Sequence, residues 1–235
     1  MQLFYNPDLT EENEQFQFDR EESKHIVKVL RKKEGDTLYI TNGKGYLFKA
    51  SIEVADHNKC RVKVLDHQKK YPRRYRLHLA VAPTKNNNRY EWFLEKVTEI
   101  GVDEITPLIC ERSERTSIKT ERMEKVILNA MKQSQRVYLP KLNEPTSFEE
   151  FIKNEHEGLR FIAHCEDDEK MDMKRRVAPD TNITLLIGPE GDFTSTEIKK
   201  AYQEQFIPVS LGDSRLRTET AAIVGCTTVT LANTI

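Results

Sequence analysis

The chain has 235 residues, of which 37% are hydrophobic and 32% are charged. This length allows one large or two modest domains with a buried core, and the composition is too apolar for a disordered protein. The formal net charge is −1, which excludes binding of nucleic acid by overall positive charge. Any such surface must be a local basic patch.

The sequence contains no signal for membrane insertion, secretion or metal binding. No run of about 18 apolar residues occurs, and the N-terminus lacks the basic and then apolar segments of a signal peptide. The four cysteines are far apart and form no C-x-x-C pair, which indicates neither a zinc site nor a redox pair. We therefore expect a cytoplasmic protein with no membrane segment and no metal.

Residues 1–72 predict a small β-barrel that contains one helix. The expected strands are Gln2–Tyr5, Gln15–Phe18, Thr37–Thr41, Tyr46–Val54 and Lys59–Leu65, and the expected hairpin turn is Asn42–Gly45. Short strands at this spacing, with a strong hairpin signal, are typical of a barrel.

The expected helix of this region, Glu21–Lys33, has an apolar face and a basic face. Lys24, Lys28 and Arg31 lie mostly on the basic face. They fit either a solvated helix surface or contacts with RNA phosphates, and the density of basic residues favours phosphate contacts.

A basic segment, KKYPRRYR at residues 69–76, is the expected linker between two domains. It is either a solvated connector or a second contact with an RNA backbone. In the second case Arg73 and Arg74 are the candidate contacts.

From residue 76 onwards strands alternate with helices, which predicts a mostly parallel sheet with helices on both faces. The expected strands are Leu77–Val81, Glu104–Cys110, Leu159–Cys165, Ile183–Ile187 and Ile207–Leu211. We expect Asn88 and Glu91 to cap the first helix, Gly101 to end it, and Thr194 and Glu197 to form a capping box on a later one. A further helix is expected over Thr120–Arg136.

Two of these strands lead into glycine-containing loops, which predicts a ligand crevice. Ile183–Ile187 is followed by Gly-Pro-Glu-Gly, and the strand that begins at Ile207 is followed by Gly212 and a loop rich in charged and hydroxyl side chains. Strand ends, glycine loops and helix starts together form such crevices in α/β sheets. Taken singly, each feature also fits an ordinary turn, or a surface ion pair between Arg217 and Glu219. The glycine patterns of dinucleotide and nucleoside triphosphate sites are absent.

The sequences of these two loops resemble those of a known family. GPEG at residues 188–191, followed by LG-x(3)-LRTETA at residues 211–221, resembles the knot-forming half of the SPOUT methyltransferases. Within them it is most similar to the bacterial small-subunit ribosomal RNA uridine-N3 methyltransferases, whose first loop reads GPEGG. This chain departs from that loop at Asp192, where the family usually has a second glycine.

Other segments carry the same resemblance, so that it extends over nearly the whole chain. They are ESKHIVKVLRKKEGD at residues 22–36, EKVTEIGV at 95–102, SERT at 113–116 and KQSQR at 132–136. The resemblance implies a PUA-like β-barrel over residues 1–72 and a SPOUT domain with a deep trefoil knot over residues 73–235. It also implies a homodimer that uses S-adenosylmethionine to methylate one uridine of 16S ribosomal RNA, free or in the small ribosomal subunit.

The resemblance implies a set of cofactor-binding residues, because main-chain groups and apolar side chains hold the cofactor in that family. They are His164, Leu186, Ile187, Gly188, Pro189, Glu190, Gly191, Leu211, Gly212 and Leu216.

Removal of the imide proton and stabilisation of the uracil anion are the chemical demands of methylation at N3. Arg217 and Arg136 are candidates for stabilising uracil oxygens or RNA phosphates. Glu219 is a candidate base, or the group that orients Arg217. Gln133 and Arg136 together fit a flipped base or a phosphate, and equally a polar helix end. Thr218 and Thr220 are expected to cap the last helix.

Two other functions remain open from the sequence. The chain is alternatively a noncatalytic RNA-binding or ribosome-assembly protein of the same fold, which would show no RNA-dependent methyl transfer. It is alternatively a SPOUT enzyme that acts on a ribose 2′-hydroxyl or on a tRNA base. Only the LRTETA and KQSQR wording favours uridine N3.

Overall fold

The computed structural model describes residues 2–234, which form two compact units. The first unit extends to Pro72 and also includes Met131–Leu139, and the second comprises Arg73–Ala130 and the residues from Pro140 onwards. The segment Met131–Leu139 therefore packs with the first unit, although its position in the chain falls within the segment expected to form the second domain.

A five-stranded sheet forms the first unit. Its strands are β1 (Leu3–Tyr5), β2 (Gln15–Gln17), β3 (Thr37–Thr41), β4 (Tyr46–Val54) and β5 (Arg61–Lys69). Their order is β1-β3-β4-β5-β2, with β1 parallel to β3 and the other neighbours antiparallel. The predicted hairpin between β3 and β4 is confirmed. Gly43 and Gly45 in its turn have φ angles of +70° and +99°, which favour glycine.

The basic helix of this unit is shorter than predicted. α1 (Arg20–Lys24) continues into a π-helical turn, His25–Val29, and Arg31 then has a φ angle of +55°. This left-handed conformation ends the helix, so the prediction that it reaches Lys33 was wrong. Ile26 is fully buried against the sheet's apolar side chains.

The second unit has a parallel sheet, as predicted. Its strands are β6 (Leu77–Val81), β7 (Glu104–Ile109), β8 (Lys141–Leu142), β9 (Thr146–Ser147), β10 (Leu159–Ala163), β11 (Met171–Asp172), β12 (Ile183–Ile187) and β13 (Ile207–Ser210). Their order is β11-β13-β10-β12-β6-β7-β8, and β9 also pairs with β7. All of these pairs are parallel.

Five further α-helices lie in the described part of the chain. They are α2 (Asn87–Ile100), α3 (Thr120–Gln133), α4 (Phe148–Lys153), α5 (Ser195–Gln203) and α6 (Thr218–Ala232). In residues 2–234, none of the helices combines the length and the apolar character that crossing a membrane would require.

Helix ends were predicted with mixed success. The capping box of α5 is confirmed, since Thr194 N–H donates to Glu197 Oε2 at 2.8 Å and Glu197 N–H donates to Thr194 Oγ1 at 3.2 Å. The predicted cap of α2 was wrong by two residues, because Asn86 holds that position and its side chain accepts from the N–H of Asn88 at 2.9 Å. Gly101, with a φ angle of +133°, ends α2 as predicted.

The position of β12 decides where the loops meet. It lies between β10 and β6, and every residue of it is buried, as the apolar sequence predicted. Ala163 at the end of β10 pairs with Ile187 at the end of β12, which pairs in turn with Val81 at the end of β6. The loops after these three strands therefore leave the sheet side by side.

Candidate active site

Two adjoining cavities lie at the carboxyl ends of β10, β12 and β13. Their volumes are about 400 Å³ and about 280 Å³. The residues that line both cavities are Ala163, Cys165, Arg215, Leu216 and Ala221. Because the walls are shared, the two cavities can hold one extended ligand.

Most of the predicted cofactor residues line these cavities. The larger cavity is lined by His164, Leu211, Gly212 and Leu216, and the smaller by Ile187, Gly188, Pro189, Glu190 and Leu216. Two predicted residues line neither cavity. Leu186 is fully buried in the core cluster that includes Phe193, and Gly191 has its carbonyl oxygen bound by Arg112 Nη1 at 2.9 Å.

Close packing explains the first glycine of the GPEG loop. A Cβ atom added to Gly188 would lie 3.1 Å from the ring of Phe193 and 3.2 Å from its backbone nitrogen. The carbonyl oxygen of Gly188 accepts a hydrogen bond from Thr218 Oγ1 at 3.0 Å. Thr218 therefore ties this loop to the start of α6. Its expected role as a helix cap was wrong, since the cap position is Arg217, which makes no side-chain capping bond.

Gly212 serves a different purpose from Gly188. Its φ angle is +126°, and an added Cβ would meet no other atom of residues 2–234 within 4 Å. Backbone conformation, and not lack of space within the protein, therefore demands glycine at this position.

Arg217 and Glu219 do not form the ion pair that the sequence left open. Arg217 is exposed, and within residues 2–234 its side chain makes no hydrogen bond or ion pair. Glu219 is buried, and its Oε1 lies 3.7 Å from Nε of Arg89 on α2. Its Oε2 is buried and has no hydrogen-bond partner in the part of the chain that the structure describes. Sequence reasoning missed Arg89, because no local pattern links it to a loop so distant in the chain.

The KQSQR segment belongs to the first unit. Gln133, the last residue of α3, is exposed. Arg136 is partly buried, and its backbone N–H donates to Met131 O at 3.1 Å. Both residues lie after the point at which α3 passes from the second unit to the first.

Basic residues of the first unit surround a surface cavity of about 460 Å³. Lys24 and Lys28 line it together with Arg20, and the acidic Glu21 lines it as well. Arg31 is also exposed. Three cations around one concave surface suit the binding of phosphate groups.

The two arginines of the linker have different surroundings in the structure. Arg73 donates through Nη2 to Asp103 Oδ2 at 2.6 Å and through Nη1 to Tyr75 Oη at 2.9 Å, and its guanidinium lies over the Tyr75 ring. Arg74 is exposed and lies 3.6 Å from Asp180, itself exposed. Arg74 is therefore available to a polyanion, whereas the guanidinium of Arg73 is already engaged.

His164 enters the site as a neutral ring. Burial lowers its pKa, and the neighbouring positive charge of Lys170 lowers it further. Among residues 2–234, no three His, Cys, Asp or Glu side chains are grouped so as to hold a metal ion.

Residues 71–230 match the family model of the RNA methyltransferase domain, and residues 18–65 match that of the RNA methyltransferase PUA domain. The chain belongs to the RNA methyltransferase family. It is 34% identical to the ribosomal RNA small subunit methyltransferase E of Buchnera aphidicola from Acyrthosiphon pisum, over 91% of this chain and 87% of the relative. The protein of the same name from Rickettsia conorii is 29% identical, over 97% and 94%.

Solved structures place this RNA methyltransferase in the same fold. A Porphyromonas gingivalis protein described as a probable rRNA-methyltransferase is 39% identical, with a TM-score of 0.92 over 99% of this chain and 98% of that one. A methyltransferase from Legionella pneumophila, solved with the bound cofactor SAM, is 31% identical, with a TM-score of 0.87 over 98% and 97%. The predicted SPOUT-type fold with an N-terminal PUA-like domain is confirmed. The trefoil knot stays a prediction.

Proposed function

We propose that this protein transfers the methyl group of S-adenosylmethionine to N3 of one uridine in 16S ribosomal RNA. The observation that carries the proposal is the pair of adjoining cavities, lined by both motif loops at the carboxyl edge of the sheet. The relatives named as small-subunit methyltransferases, and the Legionella relative with its bound SAM, support the same activity. The LRTETA and KQSQR motifs support N3 of uridine as the methylated atom.

The lining of the cavities fits the proposed cofactor. Gly188 lines the smaller cavity with main-chain atoms alone, because it has no side chain, as main-chain recognition of an adenine requires. Ile187, Leu211 and Leu216 supply apolar walls. When bound, S-adenosylmethionine supplies an electrophilic methyl group, and the protein supplies position and charge.

Two side chains near the start of α6 are suited to the chemistry on uracil. Arg217 is exposed and unpaired among the described residues, and its planar guanidinium can donate two hydrogen bonds to a uracil anion or a phosphate. Glu219 lines neither cavity, but its buried Oε2, which has no hydrogen-bond partner among the described residues, can accept the imide proton when the substrate reaches it. We assign Arg217 to anion stabilisation and Glu219 to proton removal, and we keep Arg136 as a candidate for the same anion or a phosphate.

The RNA surface is proposed on the basic residues that remain exposed. Lys24, Lys28 and Arg31 form one group and Arg74 forms another. Gln133, exposed at the end of α3, is a proposed contact for a base or a phosphate. Phosphate contacts of this kind fix the orientation of an RNA without reading its sequence.

A homodimer is part of the proposal. α2 and α6 pack against each other, and each exposes a large apolar side chain. Trp92 on α2 is 47% exposed, and Leu231 on α6 is 66% exposed. A second copy that covers these side chains would remove both from water. Because its substrate is ribosomal RNA, we place the enzyme in the cytoplasm.

Nucleoside analysis of the methylated product tests the function. Purified protein is incubated with S-adenosylmethionine and either 16S ribosomal RNA or small subunits from cells that lack the enzyme. We expect 3-methyluridine at one position, mapped as a block to reverse transcription because N3 lies on the pairing edge. A methylated ribose in this RNA, or transfer only when tRNA is supplied instead, would replace the proposed target. Cofactor binding without any transfer would indicate a noncatalytic protein.

A further inference from the structure

Asp192 has a backbone conformation that most residues avoid. Its φ angle is +62°, and its N–H donates to Pro189 O at 2.9 Å to close the turn after β12. Glycine adopts this conformation without strain, and Asp and Asn are the side-chain-bearing residues that enter it most readily. The conformation is thus one that glycine would adopt as readily. It does not explain why this chain has a carboxylate.

The carboxylate of Asp192 joins two loops of the candidate site. Oδ2 accepts from the backbone N–H of Cys165 at 2.7 Å, and Oδ1 accepts from the N–H of Phe193 at 2.9 Å. Cys165 follows β10 and lines both cavities, and Asp192 itself lines the smaller one. A hydrogen bond that a backbone N–H donates to a carboxylate belongs to the stronger class of protein hydrogen bonds. Glycine at position 192 could not make it.

The loop that begins at His164 has a second attachment, from α5. The Tyr202 hydroxyl donates to Asp168 Oδ2 at 2.7 Å, and its oxygen lies 2.9 Å from His164 Nε2. Since the hydroxyl proton is directed to the carboxylate, the ring must donate from Nε2. Lys170 Nζ also donates to the carbonyl oxygen of His164, at 2.9 Å. Together with these contacts, the hydrogen bond that Asp192 accepts from the N–H of Cys165 holds the first residues of the loop in place.

We propose that Asp192 is a positioning residue for the cofactor. It holds Cys165, and with it the shared wall of both cavities, in the shape that the ligand requires. This inference rests on the proposed function of the cavities as the S-adenosylmethionine site. A wall that is fixed before binding loses less conformational freedom when the ligand enters. The carboxylate therefore contributes to affinity without touching the ligand.

Three variants distinguish the effect of the Asp192 carboxylate from the effect of the backbone conformation at this position. Asp192→Gly keeps the positive φ angle and removes the acceptor, and Asp192→Asn keeps both the conformation and an acceptor oxygen. Asp180→Gly is the matched control, because Asp180 is an exposed residue of the same unit with a φ angle of +54°. The measurements are the Kd for S-adenosylmethionine by calorimetry, the KM for the cofactor and kcat, and hydrogen exchange at the amide of Cys165.

We expect Asp192→Gly to raise Kd and the cofactor KM about tenfold, the effect of losing one charge-assisted bond, and to leave kcat at saturation nearly unchanged. Exchange at the Cys165 amide should become faster. Asp192→Asn should restore most of the affinity and the protection, and Asp180→Gly should behave as the wild type.

The outcomes distinguish this inference from the proposed function. If the wild type binds S-adenosylmethionine and Asp192→Gly binds it equally well, the positioning role of Asp192 is wrong and the function stands. The same conclusion follows if affinity falls while the Cys165 amide keeps its protection. If the wild type binds no S-adenosylmethionine, the proposed function and the cofactor role of Asp192 both fall.

Discussion

Arg89 on α2 and Glu219 on α6 form a partly buried ion pair, with 3.7 Å between Nε and Oε1. The arginine is 40% exposed at its side chain, whereas the glutamate is almost fully enclosed. Arg89 therefore supplies the countercharge for the carboxylate that we assign to proton removal. Among residues 2–234, no group donates a hydrogen bond to Oε2 of Glu219, which is buried.

Removal of either partner should have a distinct effect. We expect Glu219→Gln to lower the single-turnover methylation rate while the free energy of unfolding changes little, because the amide keeps the shape of the side chain. Arg89→Ala should destabilise the protein by about 1–2 kcal/mol, since a buried carboxylate loses its partner. Urea unfolding and single-turnover rates measure both effects. A Glu219→Gln enzyme of normal rate would remove Glu219 from the catalytic residues.

Arg217→Ala should lower the single-turnover rate by roughly 10²–10³, the usual cost of one transition-state donor. Because the side chain is exposed and unpaired in residues 2–234, cofactor affinity and thermal stability should hardly change. Lysine should rescue poorly, since it lacks the planar fork. Arg175→Ala, at an exposed arginine of the same unit, is the control. Loss of stability in step with activity would show a structural role instead.

Gly212→Val should abolish cofactor binding, because a β-branched residue rarely adopts a φ angle of +126°. Gly188→Val should do the same by displacing Phe193. Gly35 is the matched control for Gly212: its φ angle is +88°, no atom lies near its missing Cβ, and it lies in the first unit. Gly35→Val should cost stability and leave the calorimetric Kd unchanged. Normal cofactor affinity in both site variants would move the cofactor elsewhere.

Charge reversal at Lys28 and Arg31 should weaken RNA binding without affecting cofactor affinity, and so should Arg74→Glu. Each lost phosphate contact should flatten the log-log dependence of affinity on salt by about 1. Arg73→Glu should instead lower stability, because the bond to Asp103 is lost. Titrations of an rRNA fragment at several salt concentrations measure the slopes. Wild-type slopes in the Lys28/Arg31 and Arg74 variants would exclude this surface.

Acid should destabilise the protein through His78. Burial lowers the pKa of His78 to about 4, and its Nε2 lies 2.7 Å from Thr106 Oγ1. Below pH 6.5, the ordinary pKa of histidine, His78 becomes protonated in the unfolded chain but stays neutral in the folded chain. Stability should therefore be complete above about pH 6.5 and fall as the pH drops towards 4, by at most about 1.4 kcal/mol per pH unit.

Urea unfolding between pH 7 and pH 4.5 measures this dependence. His78→Asn should reduce the slope, whereas His57→Asn, at an exposed histidine, should not. Burial also lowers the pKa of His156, so a smaller slope of the same sign should remain in the His78 variant. A wild-type stability that does not change over this range would contradict the assignment.

The sequence predicted those structural features that depend only on residues close together in the chain. The spacing of Thr194 and Glu197 predicted a capping box, and the apolar run Ile183–Ile187 predicted a buried strand, because each depends only on neighbours within a turn or a strand. The glycine loops at both strand ends likewise located the crevice. Thr218 shows the limit of such patterns, since its hydroxyl bonds the distant Gly188 O and not its own helix.

The tertiary structure alone decided which distant residues meet. Insertion of β12 between β10 and β6 brings the loop of Asp192 to Cys165, and the packing of α6 on α2 brings Glu219 to Arg89. Strand order and helix packing are set by the burial of apolar faces over the whole unit, and no spacing in the sequence records the result. The sequence thus indicated which loops form the site and what chemistry they carry, whereas the strand order determined which distant residues are in contact.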